Sequence, residues 1–160
     1  MHQPLDPRDL DTGSLALFVG FAATDAVQAE LASQGFGDLR MSHGYVFQHL
    51  IDAQPTISDL AQKLGMTQQG ASKAIAELER LGYTERLPDP HDARIRRVAF
   101  TRRGREAVTA ARQARERLEA RLRERFGATA FDAGRALLVD LLDELGGTPA
   151  VRRRAVRPPQ

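Results

Sequence analysis

The order of apolar and polar positions predicts a mainly helical chain. Apolar residues recur every three or four positions from Ser14, a good N-cap, until Gly35 and Gly37 end the first helix. Pro55 closes a second helix, because the residue before a proline disfavours the helical conformation. The long helices predicted in this way cover 14–37, 39–52, 102–126 and the stretch from Thr129 to Leu145.

Residues 56–81 predict two short helices joined by a tight turn. Thr56 or Ser58 caps the first of them, and Gly65 ends it. Thr67 then caps a second helix from Gln68 to Leu81. One apolar stripe along this second helix is formed by Ala71, Ala74, Ile75, Leu78 and Leu81. Such a pair is a helix-turn-helix, whose second helix has a polar, exposed N-terminal end.

After Gly82 the period changes from helical to β. Residues 83–87 and 95–100 are β-rich runs separated by the polar, proline-punctuated loop PDPHDAR, which carries Arg94. A helix-turn-helix followed by a hairpin with an arginine at its tip is a winged helix. In this arrangement the second helix enters the major groove of DNA, and the hairpin reaches the backbone or the neighbouring minor groove.

Charge supports an anionic partner for the middle of the chain. The whole sequence of 160 residues has a net charge of +2, but residues 53–105 carry ten basic and six acidic groups, a local excess of +4. Length and an apolar content of 42% fit one globular domain. The absence of cysteine excludes disulfides, thiol nucleophiles and thiolate metal sites.

Several other classes of protein find no support in the sequence. No uncharged apolar run reaches the ~18–20 residues of a membrane span, so a cytoplasmic protein with no membrane partner is expected. No nucleophile elbow, glycine-rich phosphate loop or paired-carboxylate motif indicates an enzyme. His43 and His49 do not share a helical face, so neither a metal site nor a cofactor is expected.

Residues 14–145 resemble the MarR (multiple antibiotic resistance regulator) family of winged-helix transcription factors. The resemblance is carried by TISDLAQKLGMTQQGASKAIAELERLGY and by DPHDAR followed by RRVAFTRRG, which matches the family's wing. Family members often have leucine where this chain has Phe100, which is a tolerable exchange in a core. The resemblance implies a homodimer with entwined N- and C-terminal helices and a small-molecule pocket beside the DNA-binding region.

The resemblance also implies roles for single residues. Arg94 would insert into the minor groove, and Asp92 would orient it. Arg86, Arg96 and Arg97 are candidates for contacts with phosphate or within the wing. The DNA-binding set expected from the family is Thr67, Gln68, Gln69, Ser72, Lys73, Arg94, Arg96 and Arg97. Each role has an alternative. The wing arginines could form only a solvated basic loop, and Gln68 and Gln69 could be only the polar first turn of a helix. Asp92 could be only a turn-forming residue.

A small aromatic or phenolic ligand is the remaining expected partner besides double-stranded DNA and a second copy of the chain. The candidate ligand-binding residues are Phe18, Phe21, His43, Tyr45 and Phe47. All of them could equally be ordinary core or interface residues. The last helix carries more leucines than a monomer of this size can bury, which favours a dimer core.

The sequence therefore predicts a mainly α protein, a winged helix-turn-helix with a small β-hairpin wing, flanked by N- and C-terminal dimerisation helices. The expected regions are a helical dimerisation part at 14–37 and 102–146, a DNA-binding part at 38–101, and flexible termini at 1–13 and 147–160. The expected function is sequence-specific transcriptional regulation on a pseudo-palindromic operator, as a ligand-responsive repressor. The alternative is a ligand-independent winged-helix protein or an activator.

Overall fold

One antiparallel hairpin interrupts an otherwise helical chain. The computed structural model describes residues 6–154. The helices are α1 (Thr12–Leu31), α2 (Met41–Phe47), α3 (Ile57–Leu64), α4 (Gln68–Arg80), α5 (Arg102–Phe126), α6 (Ala128–Glu144) and α7 (Thr148–Arg152). The strands are β1 (Thr84–Pro88) and β2 (Arg96–Phe100). The predicted fold class, a mainly α winged helix with a small hairpin, is confirmed.

The first helix begins slightly earlier than expected. The Asp11 carboxylate accepts the backbone N–H of Ser14 at 2.9 Å, so Asp11 is the cap and Ser14 lies inside α1. A wide helical turn over Ala32–Phe36 follows, and Gly35 adopts a φ of 86° there, which side chains disfavour. This turn redirects the chain from α1 into α2.

The second helix is shorter than the predicted range of 39–52. It ends at Phe47 because the next turns tighten into i→i−3 hydrogen bonds, from the N–H of His49 to the carbonyl of Val46 and from that of Leu50 to Phe47. The shortened helix leaves a non-helical connection before α3.

The helix-turn-helix has the caps that its sequence predicts. Thr56 accepts the N–H of Asp59, and the Asp59 carboxylate accepts the N–H of Thr56, a reciprocal capping box. Gly65 ends α3 with a φ of 66°. Thr67 accepts the N–H of Gly70 at 3.0 Å and caps α4.

The hairpin is joined to the helix-turn-helix by a further strand-like contact. Its register pairs Thr84 with Phe100 and Pro88 with Arg96. The N–H of Val98 donates to the carbonyl of Pro55 at 2.9 Å, so β2 is bonded on its second edge to the segment that leads into α3. The wing is therefore fixed at its base to the first helix of the motif.

The core of the winged helix is apolar. Its largest fully buried side chains are Tyr83, Leu60, Ile75, Leu78 and Val98, from both short helices and the hairpin. Gly104, in the first turn of α5, packs directly against it. A Cβ on Gly104 would overlap the carbonyl oxygen of Tyr83, so only glycine permits this approach.

Two helices expose an unusual amount of apolar surface. The exposed apolar side chains of this kind are Leu15, Leu17, Phe18, Val19 and Phe21 on α1, and Leu137, Leu138, Val139, Leu142 and Leu145 in and after α6. The stretch Thr12–Phe36 is also long and apolar enough to pass the length-and-composition test for a membrane span. That finding differs from the expectation that no apolar run approaches the length of a membrane span, because the two isolated acidic residues of this stretch do not lower its mean hydropathy enough.

The termini are more structured than the sequence suggests. Pro7–Asp9 form a 3₁₀ turn, and Thr148–Arg152 form α7. The Arg154 guanidinium pairs with the Asp52 carboxylate. The flexible termini expected at 1–13 and 147–160 are thus partly ordered, while residues 1–5 and 155–160 lie outside the described residues.

Gly104→Ala is expected to destabilise the fold, because the added methyl group must displace backbone rather than a flexible side chain. The cost of such overpacking is about 1–3 kcal/mol, to be read from thermal or urea unfolding. Gly44→Ala is the matched control. A Cβ at Gly44, inside α2, meets nothing within 4 Å, and alanine is a better helix former. The glycine requirement is wrong if both variants keep wild-type stability.

Candidate DNA-binding interface and the adjoining cavity

The N-terminal end of α4 presents polar side chains to solvent. Thr67, Gln68, Gln69 and Lys73 are exposed, and Ser72 is half-buried. The amide nitrogen of Gln68 donates to the hydroxyl of Ser58 at 2.8 Å, which orients the glutamine and joins the two helices of the motif. Glutamine can pair with adenine through two hydrogen bonds, and serine and lysine suit base edges and phosphates.

The tip of the wing carries free positive charge. Arg94 and Arg96 are exposed, and within residues 6–154 neither forms an ion pair. Asp92 does hold Arg94, but its carboxylate accepts the backbone N–H of Arg94 at 2.9 Å and no side-chain pairing accompanies this bond. Asp92 thus shapes the turn and leaves the Arg94 guanidinium available.

The wing is braced from within by Asp89. The buried Asp89 carboxylate accepts the backbone N–H groups of His91 at 2.8 Å and Asp92 at 3.1 Å, and it also accepts from the Arg97 guanidinium. The N–H of His91, followed by the Arg97 side chain, lowers the pKa of Asp89 below its ordinary value. Asp89 is therefore ionised in the fold and holds the hairpin loop closed.

Two arginines of the wing region are used inside the protein. Arg97 binds Asp89 and also donates to the carbonyl of Gln54 at 2.9 Å. Arg86 pairs with Glu79 of α4 at 3.1 Å. Arg97, which was expected among the DNA contacts, therefore braces the base of the wing. Arg86 and Arg97 are thus distinct from the free arginines at the tip of the wing.

A large cavity lies beside the winged helix, between α1, α2 and α5. Its volume is about 850 Å³, which is within the range of pockets for drug-sized molecules. His43, Tyr45 and Phe47, three of the five expected ligand-binding residues, line it. The apolar part of the wall includes Val27, Leu31, Leu39, Ile51, Val108 and Leu118.

The other two expected ligand-binding residues do not line this cavity. Phe18 and Phe21 form an edge-to-face pair with ring centroids 6.4 Å apart on the exposed side of α1. Phe21 reaches only a smaller neighbouring cavity. Helical spacing placed all five aromatic positions on helices but did not fix how α1 is rotated about its axis relative to α2.

One edge of the cavity is in contact with α4 through charged residues. Arg40 and His43 line the cavity, and both meet Glu77 of α4. The Arg40 guanidinium binds the Glu77 carboxylate directly, whereas His43 Nε2 lies 3.8 Å from Glu77 Oε2. Burial lowers the pKa of His43, with a smaller opposing contribution from Glu77.

Sequence reasoning missed the roles of Asp89, Glu77 and Ser58. Asp89 and Asp92 are both turn-favouring aspartates in one short loop, so the sequence does not show which of them is buried. Glu77 is half-buried on α4, whereas a glutamate on a helix normally faces solvent, so the sequence does not indicate its contacts.

In the part of the chain that the structure describes, no group of three or more histidine, aspartate or glutamate side chains could hold a metal ion.

Comparison with known proteins agrees with this geometry. The sequence profile of the MarR family matches residues 38–95. A mutant of Staphylococcus aureus MepR, solved bound to an oligodeoxyribonucleotide, is similar with 21% identity and a TM-score of 0.61, covering 86% of this chain and 99% of that one. Transcriptional regulator Tm0710 from Thermotoga maritima shares 21% identity with a TM-score of 0.58, covering 90% and 96% of the two chains.

A third similar structure contains a small molecule. S. aureus MepR bound to ethidium bromide shares 20% identity with a TM-score of 0.62, covering 86% of this chain and 99% of that one. Among curated protein sequences, none matches this chain significantly. At these identities the structural matches establish the fold.

Asp89→Asn is expected to loosen the wing, because the amide cannot offer Arg97 a charged acceptor. The backbone N–H groups of residues 91–95 should then exchange with deuterium faster than in the wild type, measured by hydrogen-exchange mass spectrometry. Glu85→Gln is the control, since Glu85 is exposed on the same hairpin. Unchanged exchange in Asp89→Asn would show that the carboxylate does not brace the loop.

Proposed function

We propose that the chain is a member of the MarR family, whose profile matches its winged-helix segment at residues 38–95, and that it is a sequence-specific transcriptional regulator. We propose further that it binds a pseudo-palindromic operator in double-stranded DNA as a homodimer. The observation that carries this function is the pairing of exposed polar side chains on α4 with the uncompensated arginines of the wing. One set suits base edges, and the other suits phosphates or a narrow minor groove.

The roles proposed for single residues follow from exposure and bonding. Gln69 and Lys73 are free to reach bases or phosphates, and Gln68 is held by Ser58 at the helix end. Arg94 and Arg96 would contact DNA from the wing. Arg97 and Asp89 keep the wing in the shape that makes this contact possible.

Dimerisation is proposed because the chain cannot bury the apolar side chains of α1 and α6 by itself. Isolated exposed apolar residues are normal, but two helices with extended apolar surface indicate an interface. A closed two-fold dimer would cover both faces with the same faces of a second copy. It would also place two recognition helices about one turn of DNA apart. The same burial accounts for an apolar α1 in a cytoplasmic protein.

A ligand-responsive repressor is the form of regulation that the cavity favours. The cavity adjoins α2 and α5, so a bound molecule can change how the winged helix is held relative to the long helices. MepR, which has a similar fold, has been solved bound to ethidium bromide, and this supports a small-molecule site in the cavity. The aromatic lining of Tyr45 and Phe47 suits a ring-containing ligand. A ligand-independent regulator or an activator is the alternative, favoured if no small molecule changes DNA binding.

The direct test is a fluorescence-anisotropy titration of DNA from upstream of the protein's own gene, beside a scrambled duplex, at two salt concentrations. Binding that prefers the upstream DNA by ~10³-fold or more supports a specific regulator. Equal and steeply salt-dependent binding to both duplexes would show only a basic surface that contacts phosphates.

Arg94→Ala is expected to weaken operator binding roughly tenfold and to lower the salt dependence of binding, because a free cation leaves the wing. Folding and dimerisation should be unchanged, since Arg94 makes no ion pair within residues 6–154. Arg121→Ala removes the same charge from an exposed site on α5 and is the control. Equal affinities for the two variants would contradict the proposed wing contact.

Leu137→Asp is expected to convert the dimer to a monomer, because it places a charge in the apolar surface of α6. Sedimentation velocity should show the dimer dissociation constant rising by about 100-fold or more, with operator binding lost in parallel. Ile95→Asp is the control, as it places the same charge at a partly exposed apolar residue of the wing. A dimeric Leu137→Asp would place the interface elsewhere.

A further inference from the structure

A second, smaller cavity lies where the end of α7 meets the connection between α2 and α3. Its volume is about 300 Å³, at the lower end of the range for ligand pockets. Three segments of the chain supply its wall, namely positions 48–53 after α2, Lys63 of α3, and Arg153 and Arg154 at the end of α7. Gln48 is the residue that this wall shares with the large cavity. The smaller cavity therefore joins the C-terminal segment to the winged helix.

The wall of this cavity carries more positive than negative charge. It contains three cationic side chains and one carboxylate, that of Asp52, which pairs with Arg154. Neither Lys63 nor Arg153 forms an ion pair with another residue in the range 6–154. The carboxylate of Asp59, one turn before Lys63 on α3, is engaged in the cap of that helix. Like charges gathered around one small cavity attract an anion into it.

His49 adds a buried polar atom to the same wall. The residue is 9% exposed, and its Nε2 is buried without a hydrogen-bond partner in the described structure. Burial, followed by the charges of Lys63 and Arg154, lowers the pKa of His49. An oxygen atom of a bound anion would accept a hydrogen bond from an N–H of this ring, and its negative charge would offset the effect of the two cations.

We propose that this cavity binds one tetrahedral oxyanion, a phosphate or sulfate group, between Lys63, Arg153 and Arg154 and beside His49. The bound group holds α7 against the winged helix, because the side chains around it come from both. A phosphate group can be a free ion or part of a DNA backbone, and the last experiment below separates these sources. The site does not depend on the proposed function, since an oxyanion can bind here whether or not the chain recognises an operator.

Binding is tested by titrating sulfate into the full-length protein without DNA, at constant ionic strength with chloride as the balancing ion. The imidazole resonances of His49, assigned with His49→Gln, report on the site. We expect a saturable shift with a dissociation constant below about 5 mM. No shift, or a shift still unsaturated at about 50 mM sulfate, would indicate an adventitious ion only and overturns the proposal.

The pH dependence of sulfate binding tests the position of His49. Sulfate itself does not titrate between about pH 5 and pH 8, whereas a histidine does. A bound anion raises the pKa of His49, so sulfate should bind more tightly as the pH falls, with uptake of a proton. His49→Gln should abolish this dependence and still bind sulfate. An affinity that is the same in the wild type across this pH range places the anion away from His49 and overturns the site as drawn.

Arg153→Gln is expected to raise the sulfate dissociation constant about three- to fivefold, because it removes one of the exposed cations. Lys63→Gln should have an effect of similar size from a different element of the fold. Arg152→Gln is the matched control, since Arg152 is the exposed neighbour of Arg153 and does not line the cavity. Equal sulfate affinities for the Arg152 and Arg153 variants contradict the site.

The two sources of the oxyanion are separated by titrating a DNA duplex into the wild type and Arg153→Gln in chloride buffer. If the cavity takes a backbone phosphate, Arg153→Gln weakens duplex binding and lowers its salt slope by about 1, and sulfate competes with the duplex. If the cavity takes a free ion, the variant binds the duplex as the wild type does. Failure of the proposed function is seen separately, as absence of operator preference in the wild type, because the sulfate titrations contain no DNA.

Discussion

The packing of the first turn of α5 on Tyr83 is the constraint on which the rest of the structure depends. Tyr83 is fully buried at the start of the hairpin, and its carbonyl oxygen lies where Gly104 leaves room for it. Its hydroxyl donates to Asp38 and accepts from Arg103 at 3.0 Å, and Arg103 also stacks on its ring. Burial, followed by Asp38, raises the pKa of Tyr83 to about 12, so the hydroxyl keeps its proton. Tyr83 therefore joins the wing, the long helix α5 and the turn before α2.

This junction joins a winged helix that buries its own apolar core to long helices that leave apolar side chains exposed. The winged helix buries its own core and closes its own wing through Asp89 and Arg97. The long helices do not: α1 is held to α5 by contacts such as the Glu30–Arg117 pair at 2.9 Å, while its outer apolar face stays open. The apolar composition that suits α1 to a dimer core is also the composition of a membrane span. Apolar surface is favourable in both environments, so composition does not distinguish them.

The sequence predicts the parts of the fold that local periodicity controls. The apolar stripe of α4, the cap at Thr67 and the position of the hairpin follow from spacing and turn chemistry, and the structure has all three. It does not predict properties set by contacts distant in sequence. The bond from Arg97 to the carbonyl of Gln54 is one such property, and the contact of Glu77 with Arg40 is another. Neither partner is visible from the local pattern, because residues of these types normally face solvent.

The arrangement also limits how a ligand can act on DNA binding. Residues of α1, α2, α5 and α6 line the cavity but none of α4 does, so a bound molecule would have to act on α4 either through the Tyr83 junction or through Arg40 and His43. The junction is a poor route, since Arg103 is tied there to Gly35, Asp38 and Tyr83 at once. A ligand that binds two conformations equally shifts neither, however tightly it binds. Differential binding needs contacts that exist in only one state, and the Arg40–Glu77 pair, exposed at the edge of the fold, can open without disturbing the core.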